Sequence, residues 1–241
     1  KAALGGNEMT SKTDATTGAR RSFLKGAAIT GGAVAAGAVA MPNIARAQAT
    51  VLKMQSSWGA SNVFQEMAQQ YADRVERMSG GSLRIDLLPT DAVVKAFQVQ
   101  DAVHDGVLDA AHSVTAYWYG KNKAASLFGT GPVFGANASQ ILAWMHYGGG
   151  QEMYDELVQE ILGLDVVGFF AMPMPTQPLG WFKRHVQSAE EMQGLKYRTV
   201  GLATDIMQGM GLSVTQLPGG EIVPALERGV IEAFEFNNPT S

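Results

Sequence analysis

The chain has 241 residues, of which 46% are hydrophobic and 17% charged, and its formal net charge at pH 7 is −4. This length fits one or two domains of about 100–150 residues with enough apolar side chains for a core. The acidic balance argues against nucleic acid as a partner, because phosphate binding needs a concentrated basic surface. The absence of cysteine excludes disulfides, thiolate catalysis and Cys-ligated zinc.

The first 47 residues are typical of an export signal preceded by upstream residues, with Met9 as the natural start. Arg20-Arg21-Ser22-Phe23-Leu24-Lys25 precedes an apolar Ala/Gly/Val stretch (Gly26 to Met41), and small-x-small sites follow at Ala45 to Ala49. This order describes a secretory signal peptide, and the paired arginines resemble the twin-arginine signal. A membrane-anchoring helix is the alternative, which the glycine content disfavours. We therefore expect a periplasmic protein.

From Thr50 onwards, runs rich in β-forming residues alternate with helical patterns. The predicted strands are Val51–Gln55, Leu83–Leu88, Val107–Ala111, Val166–Phe170 and Leu195–Val200. The predicted helices are Asn62–Met78, Ala96–His104, Ala138–His146 and Gln151–Leu162. In the first helix the expected buried face consists of Phe64, Met67, Ala68, Tyr71 and Val75. The alternation predicts an α/β protein with largely parallel sheets.

One segment recurs within the chain. Ala102–Ala110 (AVHDGVLDA) returns 123 positions later as Ala225–Ala233 (ALERGVIEA), with the glycine, valine, acidic and final alanine positions in register. Each copy predicts a helix that ends at a C′ glycine and leads into a short strand. The similarity indicates two related α/β lobes, although helices often end before strands in this way.

Few residues carry the patterns of catalytic or metal sites. The four histidines (His104, His112, His146 and His185) lack metal-ligand spacing, and there is no G-x-S-x-G elbow. A hydrolase or a histidine-ligated metal site therefore has little support.

Arg198 lies in an apolar strand bounded by Gly194 and Gly201. Such an arginine either extends to solvent or meets an anion, and its planar guanidinium matches a carboxylate. Glu235 follows the second helix–glycine–strand copy, where the carboxyl ends of strands face the ligand crevice of open α/β sheets. Gln177 lies in a proline-rich segment typical of a crossover between lobes.

Aromatic residues stand near predicted strand ends and loops. Each can pack in the core or close a ligand pocket, and the pocket candidates are Trp58, Tyr117, Trp118 and Trp181.

Three ordered motifs, Pro175–Phe182, Gly194–Arg198 and Pro218–Gly229, resemble the solute-binding subunits of tripartite ATP-independent periplasmic (TRAP) transporters. The similarity extends over Thr50–Ser241 and is strongest to the branch that binds 2-oxo acids and related monocarboxylates. It implies a fold like that of periplasmic binding proteins, with two α/β lobes joined by hinge crossovers. The expected domains are residues 48–173, residues 174–235, and a return to the first lobe from residue 236 to 241.

The resemblance also implies a binding site. By analogy with the family, Arg198 grips the ligand carboxylate, while Gln177, Glu235 and the carbonyl of Phe236 hold a sodium ion that bridges ligand and protein. The bound ligand is then delivered to TRAP membrane subunits, and no cofactor besides Na⁺ is expected.

Some residues depart from the family pattern. Phe236 stands where tryptophan is expected, and Asn237-Asn238 replace a small apolar residue and a glycine, which predicts a more polar pocket with Asn237 as a ligand contact. Family members continue further, so the chain resembles a fragment that lacks its C-terminal part, and any homodimer would form through those elements. The remaining alternative is an exported lyase or isomerase with Glu235 as base.

Overall fold

The structure, a computed structural model, describes residues 49–129, 136–172, 174 and 177–237. The strands are β1 (Thr50–Ser56), β2 (Leu83–Leu88), β3 (Ala110–His112), β4 (Trp181–Phe182), β5 (Lys196–Arg198), β6 (Ser213–Thr215) and β7 (Ala233–Phe234). The α-helices are α1 (Val63–Met78), α2 (Val99–His104), α3 (Ala138–Tyr147), α4 (Gly150–Asp155), α5 (Ala203–Gly209) and α6 (Ile222–Glu227). Within the described ranges no helix is long and apolar enough to cross a membrane. The predicted signal peptide lies outside them.

The strands form two separate sheets. The first sheet has the order β2-β1-β3 with all pairs parallel, and the second has the order β4-β7-β5-β6, in which only β4 is antiparallel. Helices connect the parallel strands because such strands need a crossover. The predicted α/β class with largely parallel sheets is confirmed.

The two sheets repeat the same local hydrogen bonds. In the first sheet, the N–H of Lys53 donates to Asp109 Oδ2 (2.7 Å) and the N–H of Asp109 returns to the Lys53 carbonyl (2.9 Å). In the second, the N–H of Lys196 donates to Glu232 Oε2 (3.2 Å) and the N–H of Glu232 returns to the Lys196 carbonyl (2.7 Å). Asp109 thus fixes the register of the central strand β1 against β3, and Glu232 fixes that of β5 against β7 in the equivalent place.

The helix endings repeat as well. Gly106 and Gly229 both have φ of 70°, a left-handed conformation that glycine adopts without strain. The N–H that follows each glycine returns to the carbonyl of an alanine in the helix, Ala102 or Ala225, at 2.9 Å. The sequence repeat is therefore a structural repeat, in which β1, β2 and β3 correspond to β5, β6 and β7.

Helix α1 begins as expected, since the Asn62 side chain accepts a hydrogen bond from the N–H of Phe64 (2.9 Å). Its buried face differs from the prediction. Phe64, Ala68 and Ala72 are buried, whereas Met67 and Tyr71 are 44% and 58% exposed. The alanines let the helix lie close to the sheet, which turns the larger side chains outward.

Three predicted strands differ from the structure. The strand predicted at Leu195–Val200 is shorter and consists of β5, Lys196–Arg198. The strand predicted at Val107–Ala111 begins only at Ala110, because the N–H groups of residues 107 and 108 close α2 instead of joining the sheet. The strand predicted at Val166–Phe170 is wrong: its exposure alternates, but it lacks a ladder partner among the described residues. The side-chain amide of Gln151 donates to the carbonyl of Gly168 there (2.9 Å).

The helix predicted at Gln151–Leu162 is α4 followed by a π-helical turn, Glu156–Ile161. The helix predicted at Ala96–His104 starts with a 3-10 turn before α2.

Candidate functional site

Arg198 ends β5, the strand of the second sheet that lies between β7 and β6, and is 1% exposed. Its Nε donates to the carbonyl of Leu217 (2.8 Å), and its Nη1 donates to the carbonyl and to Oε1 of Glu235 (2.7 and 2.9 Å). Its Nη2 is buried and makes no hydrogen bond of standard geometry with the described residues, although the Tyr117 hydroxyl lies close to the guanidinium. Leaving a buried charged donor unpaired is costly, so the geometry calls for an acceptor from outside these residues.

Glu235 follows β7 and is held from two sides. Its Oε1 accepts hydrogen bonds from Arg198 Nη1 and from Thr199 Oγ1, both at 2.9 Å. The ring of Phe236 lies 5.8 Å from the guanidinium carbon of Arg198, within the range of a cation–π contact. The carboxyl ends of β5 and β7 thus bring Arg198, Glu235 and Phe236 together.

Gln177 closes the same cluster from the segment before β4. One terminal atom of its amide lies 3.0 Å from Glu235 Oε2, and the other lies 3.0 Å from the backbone nitrogen of Asn237. With the amide nitrogen towards the carboxylate, both contacts are hydrogen bonds. Asn237 adopts a left-handed backbone (φ 47°), and its buried Oδ1 has no partner among the described residues.

This cluster fits a hard cation in its donor types. The amide oxygen of Gln177 and the carboxylate of Glu235 are oxygen ligands, the type that such ions prefer. With the amide turned the other way, its oxygen would face Glu235 Oε2 at 3.0 Å, an approach that two oxygens make when both bind one cation. Within the described ranges no group of three or more His, Asp or Glu side chains could hold a metal, so such an ion would meet fewer than three side chains of these types.

Tyr117 reaches the cluster from the side of the first sheet. Its hydroxyl oxygen accepts a hydrogen bond from the N–H of Gly219 (3.1 Å). Burial raises the pKa of Tyr117, while the nearby Arg198 acts in the opposite direction. Tyr117 is thus a neutral hydroxyl group beside the guanidinium.

Trp58 packs beside Tyr117, with ring centroids 6.1 Å apart. It lines a cavity of about 290 Å³ together with Asn62, Gly219 and Phe236. The cavity therefore joins the start of α1 to the loop before α6 and to the residue that follows Glu235.

The other two predicted aromatics lie elsewhere. Trp118 is buried in the hydrophobic core around Trp58 and Phe128. Trp181 stacks on Phe234 (centroids 5.4 Å apart, planes at 14°) and lines a separate open cavity formed mainly by residues 179–189. In the described part of the chain neither makes a hydrogen bond or a cation–π contact with Arg198, and their role as ligand contacts stays a prediction.

Sequence reasoning missed Thr199, whose hydroxyl binds Glu235, and Gln55, the counterpart of Arg198 in the first sheet. Lys53 and Lys196 make equivalent hydrogen bonds to Asp109 and Glu232, so Gln55 and Arg198, two residues further on, also occupy equivalent places. A short strand with no further sequence identity hides this correspondence until the sheets are seen.

Residues 54–241 match the DctP family model, described as bacterial extracellular solute-binding protein, family 7. A monocarboxylate 2-oxoacid-binding periplasmic protein of Nostoc sp. (strain PCC 7120) is 34% identical over 224 residues, which are 91% of this chain and 60% of that protein.

Two solved structures of TRAP solute-binding proteins are also similar to this chain. A TRAP periplasmic solute-binding protein of Pseudoalteromonas atlantica T6c with bound sodium and pyruvate is 31% identical, has a TM-score of 0.73, and is matched over 80% of this chain and 57% of its own. A TRAP transporter solute-binding protein of Bordetella bronchiseptica RB50 is a mixed-occupancy dimer with copurified calcium and picolinate in one active site. It is 31% identical, has a TM-score of 0.73, and is matched over 80% of this chain and 56% of its own. The chain thus spans about 60% of these relatives' length. It belongs to the family 7 bacterial extracellular solute-binding proteins, the DctP family.

Proposed function

We propose that the chain forms the ligand-binding part of a periplasmic receptor that captures a small monocarboxylate of the 2-oxo acid class with a cation. The receptor delivers its ligand to TRAP membrane subunits. The observation that carries this proposal is the buried Nη2 of Arg198, which makes no hydrogen bond of standard geometry with the described residues. The other guanidinium nitrogens are held by Leu217 and Glu235, so one N–H edge is fixed in place for a carboxylate.

The charges explain why a cation accompanies the ligand. Arg198 and Glu235 neutralise each other, so a bound carboxylate would add an unbalanced negative charge near the Glu235 carboxylate. A cation held by Gln177, Glu235 and the Phe236 carbonyl would restore the balance. The relatives with sodium or calcium and a bound acid support this arrangement, and sodium is the ion that we propose.

We further propose that residues 48–173 and 174–235 form two lobes that close over the ligand, with the chain returning to the first lobe from residue 236. Closure supplies what the second sheet alone lacks, because Tyr117 and Trp58 approach from the first sheet. Ligand-dependent domain closure of this kind would produce the state that a membrane partner recognises. Residues 1–47 would direct export, with Arg20-Arg21 specifying the twin-arginine route.

An exported lyase or isomerase with Glu235 as base fits the geometry less well. The Oε1 of Glu235 already accepts hydrogen bonds from Arg198 and Thr199, so this oxygen is occupied within the fold. No second acid–base side chain contacts the carboxylate in the part of the chain that the structure describes.

The test is calorimetric titration of the complete gene product with pyruvate in sodium buffer. We expect saturable binding without turnover, and the loss of binding in Arg198→Ala, because truncating one partner of a buried charged pair costs about 2–5 kcal/mol. Arg184→Ala is the matched control, since Arg184 is exposed and pairs with Glu191 at the surface. Unchanged pyruvate affinity in a folded Arg198→Ala protein would overturn the proposal.

A further inference from the structure

We propose that His112 is a specificity-determining residue of this receptor, and that its Nε2–H donates a hydrogen bond from the first sheet to a second acceptor oxygen of the ligand. The inference rests on the proposed function and deepens it. It assigns the recognition of the carboxylate to one sheet and the recognition of the neighbouring oxygen to the other.

His112 occupies in the first sheet the place that Glu235 occupies in the second. His112 pairs with Ser56 at the end of β1 and β3. In the second sheet Arg198 pairs with Phe234, so Thr199 and Glu235 come next, and the Thr199 hydroxyl binds Glu235. His112 and Glu235 are also 123 positions apart, the spacing of the repeat.

Gln55, the counterpart of Arg198, explains why the first sheet does not hold the anion. Its Nε2 donates to the carbonyl of Val94 (2.8 Å), just as Arg198 Nε donates to Leu217, and its Oε1 accepts from the N–H groups of Val93 and Val94 (2.8 and 3.1 Å). The Gln55 amide is therefore used within the fold, whereas Arg198 keeps a free edge. At the position equivalent to Arg198, the first sheet therefore has a neutral side chain that is already hydrogen-bonded.

The protein fixes the tautomer of His112. The indole Nε1–H of Trp58 can only donate, and it lies 2.8 Å from His112 Nδ1, which must accept. Burial also lowers the pKa of His112 and so favours the neutral ring. The single ring proton is then on Nε2, which has no hydrogen-bond partner among the described residues.

Trp58 connects this donor to the candidate site, since its ring lines the cavity with Gly219 and Phe236 and packs on Tyr117. His112 itself is only partly buried and stands at the carboxyl end of β3, the edge where open α/β sheets bind ligands. A neutral donor suits an uncharged acceptor such as the carbonyl oxygen of a 2-oxo acid, since the carboxylate is taken by Arg198.

The test compares pyruvate with propionate, which has the same carboxylate but no oxygen at the second carbon. We expect His112→Phe to weaken pyruvate binding by about tenfold or more and to change propionate binding by less than about threefold, because one hydrogen bond is lost. His112→Gln places an amide N–H near the lost donor and should restore most of the preference for pyruvate. Arg198→Ala should weaken both acids alike.

A second readout is the ¹⁵N spectrum of the His112 ring. We expect the Nε2–H form in the wild type, a shift of Nε2 on adding pyruvate, and a mixture of tautomers in Trp58→Phe. Equal losses for both acids in His112→Phe, or no loss, would overturn the role of His112 while Arg198→Ala still abolishes binding. Wild-type affinity in Arg198→Ala would instead overturn the proposed function and this inference with it.

Discussion

Replacing Arg198 by lysine separates charge from geometry at the candidate site. Lysine keeps the positive charge beside Glu235 but has one nitrogen, whereas Arg198 uses Nε for Leu217 and Nη1 for Glu235 and leaves Nη2 free. A hydrogen bond to a charged group contributes about 1.5–3 kcal/mol. Losing the bond from Nη2 to the carboxylate should therefore raise the Kd for pyruvate by about 10- to 100-fold.

The assay is calorimetric titration with pyruvate, beside thermal unfolding of each variant without ligand. Arg184→Lys, an exchange of the same type at an exposed position, should change neither the Kd nor the unfolding temperature noticeably. Wild-type affinity in a folded Arg198→Lys protein would show that the charge alone suffices and that the free N–H edge has no role.

Three further changes test the fold and the contacts between its two halves. Asp205→Asn removes the ion pair with Lys123 (2.8 Å), a contact that lowers the pKa of Asp205. The wild type should therefore be more stable than the variant at neutral pH, and this difference in stability should fade as the pH falls through the lowered pKa. Ile231→Ala, at a fully buried position, should cost about 2–5 kcal/mol in urea unfolding, whereas the half-exposed Val230→Ala should cost far less. Gly180→Ala should lower the unfolding temperature, because its φ is 155° and a Cβ would lie 2.5 Å from a backbone oxygen of β7.

The sequence predicted the parallel α/β architecture because β1 and β2 are short runs rich in β-forming and apolar residues that alternate with helical patterns, and because the repeat ends both α2 and α6 with the same glycine turn. The cluster of Arg198, Glu235 and Gln177 was predicted by family resemblance together with the strand-end position of Glu235. Periodicity alone would not have decided whether Arg198 is exposed or buried, because its buried position depends on a hydrogen bond to the carbonyl of Leu217, which is distant in sequence.

What the sequence did not predict depends on contacts between distant segments. The extended segment around Phe169 has the apolar pattern of a strand, but this local pattern cannot show whether another strand lies beside it to form hydrogen bonds. On α1, the alanines at positions 68 and 72 rather than the larger Met67 and Tyr71 face the protein, which only the approach of the sheet decides. His112 was one isolated histidine in the sequence, and its tautomer became evident from Trp58, 54 residues earlier.

The central claim, that a carboxylate and a cation are held together by Arg198, Gln177 and Glu235, is tested most directly by sodium linkage. The Kd for pyruvate is measured by calorimetry across sodium concentrations, with choline keeping the ionic strength constant. Because binding of one ligand and one ion is reciprocal, Kd should fall up to about tenfold for each tenfold rise in sodium until the ion site saturates. Glu235→Gln should flatten this dependence. A wild-type Kd that does not change with sodium or any other added cation would contradict the account.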